Sequence, residues 1–216
     1  MTLAPPETVS VDLLRRRLAE ADVGVRRAGL RIPRGDHDLN PGLAPPEHPT
    51  QAAVLVAVVD RAEGLTVLLT QRTRHLAAHA GQISFPGGRV EEGDADRIET
   101  ALREAEEETG LDRTAVHVMG SLPDYDIPTG FRVTPVVGWI EPPIAFAPDP
   151  FEVAEVFEVP LGHFLDPANH QRHSDEVQGR RRNYYAMPYQ HRNIWGATAG
   201  MLFSLYRVLV AGERGH

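Results

Sequence analysis

The chain has 216 residues, 42% hydrophobic and 24% charged, a balance that suits one globular domain with extensions. A net charge of -8 argues against a broad cationic face for nucleic acid or an anionic membrane, and leaves a small anionic substrate open to local arginines and metal ions. There are no cysteines, which excludes disulfides, thiolate nucleophiles and thiolate metal sites.

No charged-then-apolar leader and no run of about 18 apolar residues stands in the sequence, so the expectation is a cytoplasmic protein. Val11, Leu13, Leu14, Leu18 and Ala21 follow a helical period behind a Ser10 cap. Residues 31–50 are rich in Pro, Gly and Asp and read as an arm. The division expected is residues 1–50, a helix and extended arm, and residues 51–216, the main domain. The run from Gln51 to Asp60 reads as a buried strand, and a turn at Ala62-Glu63-Gly64 joins it to a second strand over Leu65–Gln71.

Phe85-Pro86-Gly87-Gly88 breaks regular structure. A helix is predicted from about Ala95 to Thr109, closed by Gly110. Strands follow over Val116–Leu122 and Val133–Ile140, separated by a loop with Pro123, Pro128 and Gly130. Val153–Val159 reads as another strand, Leu161–Leu165 as a helical turn, Tyr184–Met187 as a late strand, and Ala197–Val210 as a closing helix. The fold class is α/β, a mixed sheet flanked by helices.

The most informative stretch is Arg103-Glu104-Ala105-Glu106-Glu107-Glu108-Thr109-Gly110-Leu111. At about 100° per residue, Glu104, Glu107 and Glu108 share one helix face, while Ile98, Ala101, Leu102 and Ala105 take the face beside it. Clustered carboxylates repel unless a positive charge sits among them, and hard divalent cations such as Mg2+ or Mn2+ prefer such oxygens. A solvated charged face explains the same residues on their own. The ten histidines form no metal-binding array and read as scattered surface residues. Arg180-Arg181-Arg182 could contact a phosphate, with a solvated turn as the plainer reading. Trp195 and Tyr189 suit stacking on adenine or core packing equally.

Gly87-Gly88 before the helix and Gly110-Leu111 after it complete a pattern that resembles the Nudix family, whose box reads G-x5-E-x7-R-E-U-x-E-E-x-G-U with U apolar. Arg103 to Leu111 matches every fixed position. The interval from Gly88 to Arg103 is one residue longer, with Ala95 near the position of the box Glu and Asp94 as the nearest acidic residue. Upstream, Leu68-Leu69-Thr70-Gln71-Arg72, Gly81 and Phe85-Pro86-Gly87-Gly88 resemble the pattern L-L-T-x-R-[SA]-x3-R-x3-G-x3-F-P-G-G of the coenzyme A pyrophosphatase branch. Thr73 and Ala77 depart from it, and Ala77 lacks the guanidinium that the pattern carries there.

The resemblance implies a Nudix-like mixed β-sheet sandwiched between helices. It implies a metal-dependent pyrophosphohydrolase cleaving coenzyme A or its thioesters to 3',5'-ADP and 4'-phosphopantetheine. The alternatives are a Nudix hydrolase of ADP-ribose or another nucleoside diphosphate derivative, and a nucleotide-binding module without catalysis. Glu104, Glu107 and Glu108 are the implied ligands for Mg2+ or Mn2+. Arg103 orients a box carboxylate. Glu104, Glu152 and Glu155 are the candidates for general base, and Arg72, Arg74, Gly87 and Gly88 for substrate binding. The partner expected is a small-molecule nucleotide, with neither nucleic acid nor membrane; for residues 1–50, exchange across a homodimer and covering of the site are both open.

Overall fold

The residues from Leu55 to Val59 are all fully buried. A strand with no polar alternation needs cover on both faces, and the architecture supplies it. The computed structural model of the protein describes residues 9–28, 34–73, 81–177 and 179–211, with side chains for all of these except 22–28, 177 and 211.

Strand β1 is Arg34–Gly35, and β2 is Thr50–Arg61. β2 forms the centre of a mixed nine-stranded sheet. It lies parallel to β8 (Phe131–Ile140), from Thr50↔Phe131 to Val59↔Ile140. Its other edge is shared. Val58–Arg61 pair with β3 (Gly64–Arg72), while Ala52–Val54 pair with the short β5 (Gly87–Arg89). β3 continues antiparallel to β4 (Ile83–Ser84) and to β9 (Val153–Pro160). β8 also carries β6 (Val116–Ser121) and β7 (Tyr125–Ile127), and β1 runs parallel to β7. A separate antiparallel hairpin joins β10 (Gln171–Val177) and β11 (Arg180–Ala186).

Strand pleating sends alternate β2 side chains into two different cores. One face meets α2 (Arg97–Thr109), where Ala53, Leu55 and Ala57 pack with Leu68, Val136, Ala101 and Ala105. The other face meets α1 (Val11–Ala28), α3 (Leu161–Leu165) and α4 (Ala197–Ala211), where Val56 and Val58 pack with Leu14, Leu18, Phe164, Leu202 and Leu205. The mixed sheet between helices is the architecture expected. Among the described residues no helix is long and apolar enough to cross a membrane.

Several boundaries differ from the sequence reading, each for a local reason. The Phe-Pro-Gly-Gly segment does not simply interrupt the structure. Leu55 N–H donates to Pro86 O at 2.9 Å and Gly87–Arg89 then pair with β2. Helix α2 begins at Arg97 because Asp96 caps it, accepting from Ile98 N–H and Glu99 N–H at 2.8 and 2.9 Å. The proline-bearing loop after β6 contains β7. Arg180-Arg181-Arg182 open strand β11 and are not a turn.

The arm before β2 is fastened to the rest. Asn183 N–H donates to Asn40 Oδ1 at 2.7 Å, and Asn40 Nδ2 returns to Asn183 O at 2.9 Å. Ser10 Oγ accepts from Leu13 N–H at 3.2 Å at the start of α1.

Candidate active site

The site is built where α2 crosses β5. Along α2 the buried stripe runs Ala101, Ala105, Glu108 and Thr109. Glu108 thus occupies a position in the core-facing row of the helix, seven residues on from Ala101. A charge there costs free energy unless something answers it. Gly87 N–H donates to Glu108 Oε2 at 3.2 Å, and Arg72 Nη1 lies 3.6 Å from Oε1. Burial nevertheless pushes the Glu108 carboxyl up to about 7, with Gly87 and Arg72 opposing and the charges of Glu104 and Glu152 adding to the rise.

Glu104 stands one turn earlier and is half-buried. Its carboxyl lies against Gly88, where a Cβ would displace it from its present position. At Gly87, with φ 155°, a Cβ would strike Ala53 O and Val54 on β2. Desolvation raises the Glu104 carboxyl above its ordinary value, against the pull of Arg103, and Glu107 and Glu91 raise it further.

Arg103 is held on every side. Nε and Nη2 donate to the two oxygens of Asp94 at 2.9 and 3.1 Å, and Nη1 donates to Glu104 at 3.0 Å and Glu107 at 3.2 Å. Nη2 also reaches Arg89 O at 3.2 Å, so the five N–H groups of the guanidinium all have acceptors. Asp94 is itself fixed by Glu91 N–H at 2.9 Å and Thr100 Oγ1 at 2.8 Å. Its bond to Arg103 holds its carboxyl far below the usual carboxylate range. Arg103 therefore sets the positions of two box carboxylates.

Arg72 arrives from the far end of β3. Alternation along β3 puts Arg72 on the face of Leu68, towards α2, opposite a bulge of β9 between Val153 and Glu155. Nη2 lies 3.5 Å from Glu152 Oε2. Glu152 is placed by Thr73, whose N–H donates to Glu152 O at 2.9 Å and whose hydroxyl donates to Phe151 O at 2.8 Å.

The structure thus brings together Arg72, Gly87, Gly88, Arg103, Glu104, Glu107, Glu108 and Glu152. It does not bring Glu155 to them. Glu155 pairs across the sheet with Gln71, one residue on from Thr70↔Val156 and two from Leu69↔Phe157. Phe157 and Leu69 belong to the core under α4, Val156 to the core under α2. Glu155 therefore faces the α4 side, where Arg192 Nη2 donates to it at 2.5 Å and stands 4.2 Å from the Phe157 ring centre. Arg74, with Ala77 and His79, lies outside the described residues. Trp195 is partly exposed against Tyr184, while Tyr189 packs on the α4-side core.

The donors suit a hard divalent cation, being carboxylate oxygens gathered on one helix face with a glycine backbone at contact distance. No group of three or more His, Asp or Glu among the described residues is already drawn together as a metal would hold it. Charge explains this, since the arginines compensate the carboxylates, with Glu104 and Glu107 turned to Arg103 and Glu108 to Arg72.

A family model described as NUDIX domain matches residues 49–181, more than half the chain. The chain belongs to the Nudix family. A protein of Cronobacter sakazakii named as an uncharacterized Nudix hydrolase, NudL, is 46% identical over 165 residues, covering 76% of this chain and 84% of that one. The NudL of Escherichia coli K12 is 44% identical over 156 residues, 72% of this chain and 80% of its own. Among solved structures, a MutT/nudix family protein from Enterococcus faecalis is 18% identical with a TM-score of 0.45, covering 95% of this chain and 76% of that one. This Nudix protein is accordingly a pyrophosphohydrolase, of a family whose hydrolases generally use divalent metal ions.

Proposed function

We propose that this Nudix hydrolase cleaves the pyrophosphate of coenzyme A or its thioesters, giving 3',5'-ADP and 4'-phosphopantetheine or its acyl form, with Mg2+ or Mn2+. One observation carries the reading. The two upstream segments that resemble the coenzyme A branch, Leu68–Arg72 and Phe85–Gly88, both end on the same box carboxylate. Arg72 comes from one and the Gly87 N–H from the other, and each reaches Glu108.

Glu104 and Glu108 are the direct ligands in this reading, and Glu107, largely exposed, binds directly or through water. When bound, the cation neutralises the pyrophosphate and lowers the pKa of water. In the reaction a water oxygen bonds to one phosphorus, the bond from that phosphorus to the bridging oxygen breaks, and the other phosphate leaves with the bridging oxygen. Glu152 accepts the proton of the attacking water; it is exposed to solvent and close enough to influence the Glu108 charge. Arg103 fixes Glu104 and Glu107, and touches no substrate. Glu155, on the far face of the sheet with Arg192, takes no step. In this scheme positioning and electrostatics carry the catalysis.

The test is a panel of coenzyme A, dephospho-coenzyme A, ADP-ribose and NADH with Mg2+ or Mn2+, products resolved by chromatography. The expected result is 3',5'-ADP and 4'-phosphopantetheine from coenzyme A. Hydrolysis of ADP-ribose with coenzyme A left intact overturns the substrate and leaves the enzyme class standing.

A further inference from the structure

The two arginines of the site are bound in different ways. Arg103 has an acceptor for each N–H, at 2.9 to 3.2 Å. Arg72 has two long ion pairs, 3.6 Å to Glu108 and 3.5 Å to Glu152, and its buried Nε has no hydrogen-bond partner among the described residues. Arg17 and Arg192 also leave a buried Nε without a partner among the described residues, but each holds its carboxylate closer, Arg17 at 3.3 Å and Arg192 at 2.5 Å. Arg72 is instead held mainly by charge, at separations that leave it easy to displace. Its partner is the one carboxylate of the cluster that is buried, with side-chain exposure of 8%. That carboxylate is shielded from solvent, so a cation beside it interacts more strongly than at the surface.

We propose that Arg72 is a placeholder cation, compensating Glu108 in the metal-free protein and competing with a divalent cation for that carboxylate. The inference rests on Glu108 being a metal ligand, as proposed above, and is independent of which pyrophosphate is cleaved. Loading then has two parts. Glu108 leaves Arg72 for the incoming cation, and the guanidinium, whose Nε has no hydrogen-bond partner among the described residues, keeps its contact with Glu152. Arg103 stays in place, because Nε and Nη2 hold Asp94 whichever way Glu104 and Glu107 turn. The competition makes resting affinity for the cation lower than the carboxylates alone would give, since binding must first undo the Arg72–Glu108 pair.

Mn2+ titration without substrate, followed by the resonance signal of the free ion, tests this. Arg72→Gln is expected to bind Mn2+ roughly 3- to 10-fold tighter than the natural protein, the scale of a part-buried ion pair. Arg89→Gln is the charge control, because the Arg89 guanidinium lies over the Phe131 ring at 5.2 Å and not on Glu108. Its affinity should change less than about twofold. Arg72→Lys, which keeps a charge but loses the fork that spans both carboxylates, should fall between; it decides the matter if Arg72→Gln fails to fold, because unchanged affinity then overturns the proposal. Unchanged or weaker Mn2+ binding by Arg72→Gln overturns it too, as does an equal shift in Arg89→Gln. Glu108→Gln separates the two readings. If it binds Mn2+ as the natural protein does, the ligand assignment fails and this proposal with it. If Glu108→Gln loses binding while Arg72→Gln is unchanged, only the placeholder role fails.

Discussion

The two faces of the central sheet are built from different materials. Against α2 alanines stand at the closest approach, Ala53 and Ala57 of β2 and Ala101 and Ala105 of the helix, with Leu55, Leu68 and Val136 around them. Against α1, α3 and α4 the contacts are large, with Leu14, Phe164, Leu202, Leu205 and Phe157 filling the space. Small residues let helix and strand backbones approach closely. That brings Glu104 against Gly88 and the Gly87 N–H onto Glu108. Large residues bury more apolar area per side chain, at about 25 cal/mol per Å2. One face is shaped to hold charge close to backbone, and the other supplies most of the apolar burial. The division predicts that activity and stability can be broken separately.

Glu108→Gln is the largest such break. The amide keeps the shape and removes the charge from a position where burial already raises the carboxyl to about 7. Hydrolysis should fall by about 1000-fold, roughly 4 kcal/mol of transition-state stabilisation, while the thermal midpoint of the metal-free protein stays within a few degrees. A turnover number equal to the natural enzyme's at saturating Mg2+ would remove Glu108 from the site.

Leu205→Ala attacks the other face. Leu205 is fully buried on α4, and deleting its side chain should cost about 2–5 kcal/mol of stability through lost burial and the cavity left behind. Denaturant unfolding measures the loss. At a temperature where the variant is folded, turnover per folded molecule should match the natural protein, because α4 contributes no side chain to the carboxylate site. A change in turnover of tenfold or more would show that the two faces are coupled.

Legibility in the sequence followed the same division. The strand Gln51–Asp60, the hairpin after it and the helix ending at Gly110 were readable, because an unbroken apolar run or a helical period continues for ten residues or more. β7 was hidden because three residues among prolines carry no period. β10 was hidden because Gln171–Val177 is almost wholly polar and gains its strand form from pairing with β11. The carboxylates on α2 were readable as one face because helix geometry alone places them. Glu155 was not, since which side of the sheet it occupies depends on the register of β9 with β3. Asp94 was visible as an acidic residue, but its grip on Arg103 depends on a turn of four residues with no strong sequence signature.

The smallest expected effect is a pH dependence that belongs to the large-residue face. His170 packs edge-on against Tyr206 of α4 at 4.7 Å and against Phe203 at 5.5 Å, with Nε2 placed 2.7 Å from Phe164 O. That geometry makes Nε2 the protonated nitrogen of a neutral ring, since a carbonyl can only accept. Burial lowers the His170 pKa below its ordinary value, outweighing the bond to Phe164 and the charge of Asp166. His163, edge-on to Phe164, is lowered chiefly by the same cause. In the unfolded chain both titrate near pH 6.5. Between that value and the lower folded one, the unfolded state binds more protons, so stability rises with pH there and is lost as the pH falls through the window. This contribution lowers the thermal midpoint on acidification from about pH 6.5, against the opposite contribution of Glu108, whose raised carboxyl gains a proton in the folded state. His170→Gln, whose amide can still donate to Phe164 O but cannot take up a proton, should shrink that decline. The measurement is the midpoint at several pH values in constant salt, for both proteins. Parallel curves would mean that His170 does not contribute to the acid decline.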